Sequence, residues 1–246
     1  MSGEFRIFED LEALSRSAAR VVVESARRSM AVRERFNWVL SGGHTPRRMY
    51  ALLAGEHAAD MPWEATHIFW GDERCVPPDS EDSNFRMARE ALLDAVPIPE
   101  SNIHRIPAEM SPPQKAAEVY EARLAEHFRA TAREGKPPAF DLLMLGIGGE
   151  GHTASLFPGS PALEEARRWA VPVTAPEGIV PAKRITLTLP VINAARRVFF
   201  LAAGAAKRPV LQDIRNDPEK AARLYPAACV SPRDPVLWFL DREAAD

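Results

Sequence analysis

The chain has 246 residues, 46% of them hydrophobic and 26% charged, with a formal net charge of −3. That usage is globular, long enough for one large domain or two small ones, and it excludes an intrinsically disordered chain. The slight acidity speaks against bulk attraction to nucleic acid or anionic membranes, and no apolar run approaches the ~20 residues that span a bilayer.

Short apolar runs alternate with helical patterns along most of the chain. Phe5 to Phe8 reads as a first strand, and Leu11, Leu14, Ala18, Val21 and Val22 then fall on one helical face. Phe36 to Leu40 reads as strand, Pro46 to Ala54 as helix, Thr66 to Trp70 as strand and Asn84 to Ala95 as helix. A short strand is expected at Ile103 to Ile106, a long helix from Pro113 to Arg133, and at Phe140 to Leu145 a strand apolar enough to be buried on both faces. The final third offers strands at Ala170 to Val173, Arg184 to Leu189, Val198 to Ala202 and Val236 to Leu240, with a helix near Lys207 to Arg215. Strands spaced by helices predict an α/β fold, a mostly parallel sheet with helices on both faces. Ligands of such sheets bind outside the carboxyl ends of the strands, so the chemistry is expected on the loops there.

Other features bear on organisation and location. The 22 prolines, about 9% against a usual ~5%, cluster between Pro77 and Pro113 and after Pro158, which indicates stiffened loops. With no Gly/Ser-rich linker and no internal repeat, residues 1–246 are expected to form a single domain. Two cysteines, Cys75 and Cys229, are too few for a disulfide framework, and MSGEFRIFED lacks the basic-then-apolar pattern of a secretory leader. The expectation is a cytoplasmic protein.

Three loops carry the unusual residues. The first, Ser41-Gly42-Gly43-His44-Thr45-Pro46-Arg47-Arg48, joins a strand to a helix, with Thr45 suited to the N-cap and Pro46 to the first helical position. Backbone N–H groups and the helix N-terminus make it a ready phosphate cradle, and a bound anion would offset Arg47 and Arg48 in the first turn. An ordinary strand-to-helix turn explains it equally well. No Gly-Lys-Ser/Thr follows, so it is not a P-loop. In the second loop, Gly71-Asp72-Glu73-Arg74-Cys75-Val76-Pro77-Pro78, three charges follow a buried strand. Alone this reads as a solvated turn, or else as a carboxylate and a guanidinium held at the crevice. Asn84 beyond it suits the N-cap of the next helix.

The third loop runs Gly146-Ile147-Gly148-Gly149-Glu150-Gly151-His152-Thr153-Ala154-Ser155-Leu156-Phe157-Pro158. Its G-x-G-x-x-G spacing suggests a dinucleotide site, but Pro158 and Gly159 interrupt the required helix and no acidic residue follows at the required distance. What it does offer is His152, an imidazole suited to general-base work near neutral pH, with the Glu150 carboxylate available to orient it. A turn histidine bonding local backbone is the plainer reading. His57, His67, His104 and His127 fall on helix or strand patterns and read as structural. HExxH, paired CxxC and G-x-S-x-G are all missing, which weighs against zinc-protease and serine-hydrolase chemistry.

Taken together, SGGHTP, GDERCVPPDSEDSN, LGIGGEGHTASLFPG and RITLTLPVINAARRVFFLAAGAAK resemble the 6-phosphogluconolactonase family in order and spacing, from about Phe36 to Lys207. The resemblance implies a Rossmann-like fold of the glucosamine-6-phosphate deaminase type. It also implies hydrolysis of 6-phospho-D-glucono-1,5-lactone to 6-phosphogluconate, with neither metal nor organic cofactor. Carried over by motif, His152 is the general base and Arg74 a cation facing substrate, with Glu150 and Asp72 beside them. Gly42, Gly43, His44 and Thr45 form the phosphate loop, and Arg184 and Lys207 complete the phosphate or carboxylate contacts. Two positions depart from the family pattern, His44 where serine is usual and Glu150 where aspartate is usual. The implied partner is a small sugar-phosphate lactone, with no nucleic acid or membrane, and the assembly a monomer or weak homo-oligomer.

Three other readings compete with this one. An amino-sugar-phosphate deaminase would carry an Asn-Glu pair where Leu156-Phe157 stands. A non-catalytic sugar-phosphate sensor could dispense with His152. A nicotinamide dehydrogenase would need the helix that Pro158 breaks.

Overall fold

A computed structural model describes residues 3–129 and 136–246. Seven strands form one parallel sheet: β1 (Gly3–Phe8), β2 (Phe36–Leu40), β3 (Thr66–Trp70), β5 (Ile103–His104), β6 (Leu142–Leu145), β9 (Val198–Ala202) and β10 (Val236–Asp241). Their order is β1-β10-β9-β6-β2-β3-β5. The runs FNWVL and LLML are buried at every position, as central parallel strands covered on both faces must be. The strands β3 and β5 lie to one side of β2, and β6, β9 and β10 to the other. The winding therefore reverses between the neighbours β2 and β6, and a crevice opens at their carboxyl ends.

The covering helices follow from local signals. Helix α1 (Leu11–Arg33) is capped by Asp10, whose carboxylate accepts from the N–H of Ala13 at 2.8 Å; it buries Leu14, Ala18, Val21 and Val22. Helices α2 (Thr45–Gly55), α3 (Asn84–Ala91) and α4 (Pro113–His127) follow, then α5 (Leu189–Ala194), α6 (Arg208–Asn216), α7 (Pro218–Leu224) and α8 (Arg242–Ala245). The helix expected over Asn84 to Ala95 ends at Ala91 and passes into a 3-10 turn at Leu93–Ala95. Residues 130–133 of the helix expected to reach Arg133 lie outside the described residues. No helix among the described residues is long and apolar enough to cross a membrane.

Two expectations need correction. Asp72–Glu73–Arg74 is not a solvated turn but a strand, β4, buried at Asp72 and Glu73. It pairs antiparallel with β8 (Lys183–Leu187), which pairs antiparallel with β7 (Ala170–Thr174). These three strands make a small second sheet in the order β4-β8-β7, so β7 and β8 do not extend the parallel sheet. Pro172, which has no N–H to donate, is tolerated because β7 is an edge strand.

Of the four histidines read as structural, His57 lies in the turn after α2 and the other three cluster together. His104 (β5) and His127 (end of α4) pack with Phe69, His67 (β3) packs with both of those histidines, and His67 Nδ1 lies 3.2 Å from His104 Nε2. Burial, with the fields of Arg35 and Arg123, lowers all three below an ordinary imidazole, His104 to about 4 and His127 to about 3. The folded chain therefore keeps them neutral while the unfolded chain takes up protons below about pH 6.5. Their contribution is fully present above that pH and is lost as pH falls towards 4 and 3. Urea unfolding at pH 7.0 and 4.5 is expected to show about 2 kcal/mol of lost stability, after discounting for the rings' partial exposure. In His104→Phe the loss should shrink.

Candidate active site

The crevice between β2 and β6 is a cleft of about 340 Å³. Its walls include Gly42, Gly43, His44 and Thr45 from the loop after β2, Asp72 and Arg74 from β4, and Gly148 and His152 from the loop after β6. Arg184 from β8 and Lys207 at the start of α6 close it. The three loops singled out in the sequence thus meet in one place. Glu150 stands behind His152.

The loop after β6 is tied to itself. The Gly148 N–H donates to His152 O at 2.9 Å, that of Gly151 to Gly148 O at 3.1 Å, and the Thr153 hydroxyl to Gly146 O at 2.9 Å. Glu150 Oε1 lies 2.6 Å from His152 Nδ1. A carboxylate can only accept there, so Nδ1 carries the proton and Nε2 is left with its lone pair. Burial pushes the Glu150 carboxyl up, but its own backbone N–H, His152 and Lys207 outweigh this and hold it below the usual carboxylate range. The ring of Phe157 packs against His152, centroids 4.7 Å apart. The extra methylene of Glu150 therefore still delivers its carboxylate to the imidazole. Pro158 follows in a turn rather than a helix, which removes the dinucleotide reading.

The cations occupy an unusual arrangement. Arg74 and Arg184 are directly opposite one another in the β4–β8 ladder, a pairing of like charges that is unfavourable without an anion. Arg74 Nε is buried with no hydrogen-bond partner, while its Nη1 donates to Asp82 O at 2.7 Å. Arg184 is 5% exposed and donates from Nε to Pro181 O at 3.0 Å; burial pushes its guanidinium down, opposed by Asp72. Among the described residues, Arg74, Arg184 and Lys207 form no ion pair. Two guanidiniums and an ammonium at one cleft supply the positive charge that an anion site requires.

Sequence reasoning did not single out Ser155, Ser83 or Glu73. Ser155 Oγ donates to Asp72 Oδ2 at 2.6 Å, and the Asn84 side chain donates to Asp72 O at 2.9 Å. Asp72 is thereby held inside the wall, buried, rather than projecting freely. Glu73 accepts from the N–H groups of Arg74, Asn84 and Phe85 at 2.7–2.8 Å, tying the N-terminus of α3 to β4. Burial pushes its carboxyl up to about 7; those three donors work in the opposite direction. Asn84 is not the N-cap: Ser83 is, its Oγ accepting from the N–H of Arg86. The Asn84 side chain instead backs the loop after β2, where a Cβ on Gly42 would fall on it. A buried charge in GDER, needing partners, was the available signal for these contacts.

At the first loop, His44 rather than Thr45 takes the N-cap position, with no side-chain cap bond, and its ring is exposed. Arg47 and Arg48 turn outward to Glu90 and Glu12, so a bound anion is not needed to offset them. Cys75 is a packing residue whose thiol burial pushes up. Among the described residues, the cleft gathers no trio of metal-ligating side chains.

A parallel sheet wound both ways from β2 and β6, with loops converging on cations and an imidazole, is the Rossmann-like fold of glucosamine-6-phosphate deaminase type. Residues 9–238 match the family described as glucosamine-6-phosphate isomerases/6-phosphogluconolactonase. The 6-phosphogluconolactonase of Synechocystis sp. is 45% identical over 219 residues, 89% of this chain and 87% of that protein. That of Mycobacterium tuberculosis is 38% identical over 100% of this chain and 98% of its own. The solved 6-phosphogluconolactonase of Trypanosoma brucei superposes with a TM-score of 0.86 at 33% identity, covering 98% and 97%. The chain belongs to the glucosamine-6-phosphate isomerase/6-phosphogluconolactonase family. A solved monomeric glucosamine-6-phosphate deaminase, 19% identical with a TM-score of 0.81, shares the fold.

Proposed function

We propose that the chain hydrolyses 6-phospho-D-glucono-1,5-lactone to 6-phosphogluconate, with His152 as the general base that activates water. It is a lactone hydrolase, and the observation that carries the mechanism is the Glu150–His152 contact, which leaves Nε2 as the basic nitrogen of a ring that lines the cleft. His152 Nε2 takes a proton from water as the oxygen attacks the lactone carbonyl. The Arg74 guanidinium in the cleft wall and the N–H groups of the glycine loops supply donors for the oxyanion. The imidazolium then returns its proton to the departing ring oxygen, and the acid product ionises to the carboxylate. Asp72, pinned by Ser155, faces substrate hydroxyls.

The phosphate is assigned to the α2 N-terminus with Gly42, Gly43, the His44 backbone and Thr45, completed by Arg184 and Lys207. Remote phosphate binding orients the lactone, so no covalent nucleophile is required. The reading extends to one catalytic domain over residues 1–246, in keeping with a family match at 9–238, acting in the cytoplasm as a monomer or weak homo-oligomer.

The test follows loss of the lactone, generated in situ, against its spontaneous hydrolysis, with glucosamine 6-phosphate as control substrate. Acceleration with the lactone alone is the expected result; turnover of the amino sugar overturns the reading. In Arg184→Met, KM is expected to rise ~10-fold or more with a smaller change in kcat, since a charged hydrogen bond contributes ~1.5–3 kcal/mol. Steady-state kinetics on the folded variant decides this, and an unchanged KM removes Arg184 from the anion site.

A further inference from the structure

We propose that His67, His104 and His127 form a binding site for a divalent transition metal of the zinc class, at the end of the sheet opposite the active-site cleft. The three rings come from β3, β5 and α4, and each offers a nitrogen lying within 4.8 Å of the other two. His67 stands five residues before Asp72, roughly 16 Å along the strand direction, so the cluster is separate from the lactone site. His67 Nδ1 and His104 Nε2 are 3.2 Å apart. Two ligands of one tetrahedral Zn²⁺, each at ~2.0–2.1 Å, stand about 3.3 Å apart.

The surroundings favour ligation. His127 Nε2 lies 2.7 Å from Asn37 Oδ1. That oxygen can only accept, so the proton is on Nε2 and the lone pair is on Nδ1. A metal-ligating histidine ordinarily donates its other ring N–H to a carboxylate, a backbone carbonyl or water, and the Asn37 side-chain carbonyl takes that part here. Arg35 and Arg123 act on the rings and favour their uncharged form, which is the ligating one. The same charges repel a cation, so affinity is expected below that of a site containing a carboxylate. Three imidazoles without a carboxylate or thiolate select Zn²⁺, Co²⁺, Ni²⁺ or Cu²⁺ over Mg²⁺ and Ca²⁺. When a cation takes both His67 Nδ1 and His104 Nε2, the proton shared between them moves to the other nitrogen of its own ring. Binding at neutral pH then releases no proton, unlike capture by Cys75 or Cys229. An occupied site would clip the edge strand β5 and the end of α4 to the sheet.

The probe is Co²⁺ added to the full chain carrying His152→Ala, which removes the cleft imidazole as a competitor. One equivalent is expected to bind with the intense visible absorption of tetrahedral cobalt, to be displaced by Zn²⁺, and to show the same calorimetric enthalpy in buffers of different ionisation heat. His104→Gln should abolish the absorption, Asn37→Ala should weaken binding ~10–100-fold, and His57→Gln should leave it unchanged. Histidine ring NMR of the unmutated chain covers the case in which a variant fails to fold: Zn²⁺ should shift His67, His104 and His127 together. Absence of the absorption, its survival in His104→Gln, or Zn²⁺ shifts confined to other histidines overturns the proposal.

Discussion

Replacing His152 by alanine is expected to lower kcat for lactone hydrolysis by ~10²–10⁴-fold, the contribution of a positioned general base. KM should change little, because the cations assigned to the anion stand on β4, β8 and before α6 rather than on the loop after β6. The substitution should fold well, since His152 is only partly buried and its backbone, not its ring, makes the bond to Gly148. Glu150→Gln offers the finer comparison. A carboxamide can still meet Nδ1–H through its oxygen but no longer stabilises the imidazolium, so the expected loss is smaller than for His152→Ala. Single-turnover rates on both variants decide the matter. An alanine variant as fast as the parent would move the base to Asp72, whose carboxylate would then have to leave Ser155.

Much of this site was legible because its parts are local. The contact between Glu150 and His152 spans two residues, and the glycine loop around it follows a continuous apolar run, so the motif and its place at a strand end could be read together. The central strands were legible for the same reason: FNWVL and LLML carry no polar face and can only be buried. Long-range partners were not legible. Asp72 meets Ser155 across 83 positions and Arg74 meets Arg184 across the β4–β8 ladder; neither pairing leaves a periodic trace. RITLTL did carry one, an alternation of polar and apolar residues that suits an antiparallel strand with two different faces. Read as another strand of the main sheet, it hid the second sheet and the placement of Arg184. Ser83 and Asn84 are equally good N-caps on propensity, and what separates them is Glu73, whose carboxylate takes the N–H of Asn84 and leaves Ser83 to cap.

The other large effect is expected at a glycine of the cleft wall, Gly148. The Cβ of an alanine at Gly148 would fall on the His152 ring at Nδ1, with Glu150 Oε2 the next contact at 2.6 Å. Neither neighbour can yield without cost, because these two side chains are already joined to each other, His152 Nδ1 to Glu150 Oε1. The loop is also closed on both sides, by the Gly148 N–H on His152 O and by the Gly151 N–H on Gly148 O, so a shift at 148 moves the imidazole with it. Displacing a catalytic group by ~1 Å costs on the order of 10²-fold in rate. Gly148→Ala should therefore lose ~10²-fold in kcat while its KM stays near that of the parent, since the anion contacts lie on other elements. A purely structural role would instead lower stability and activity in step. Measuring kcat well below the unfolding transition, alongside the urea midpoint, separates the two. A variant with normal kcat would mean that the His152–Glu150 pair tolerates displacement, and the general-base assignment would lose the geometry on which it stands.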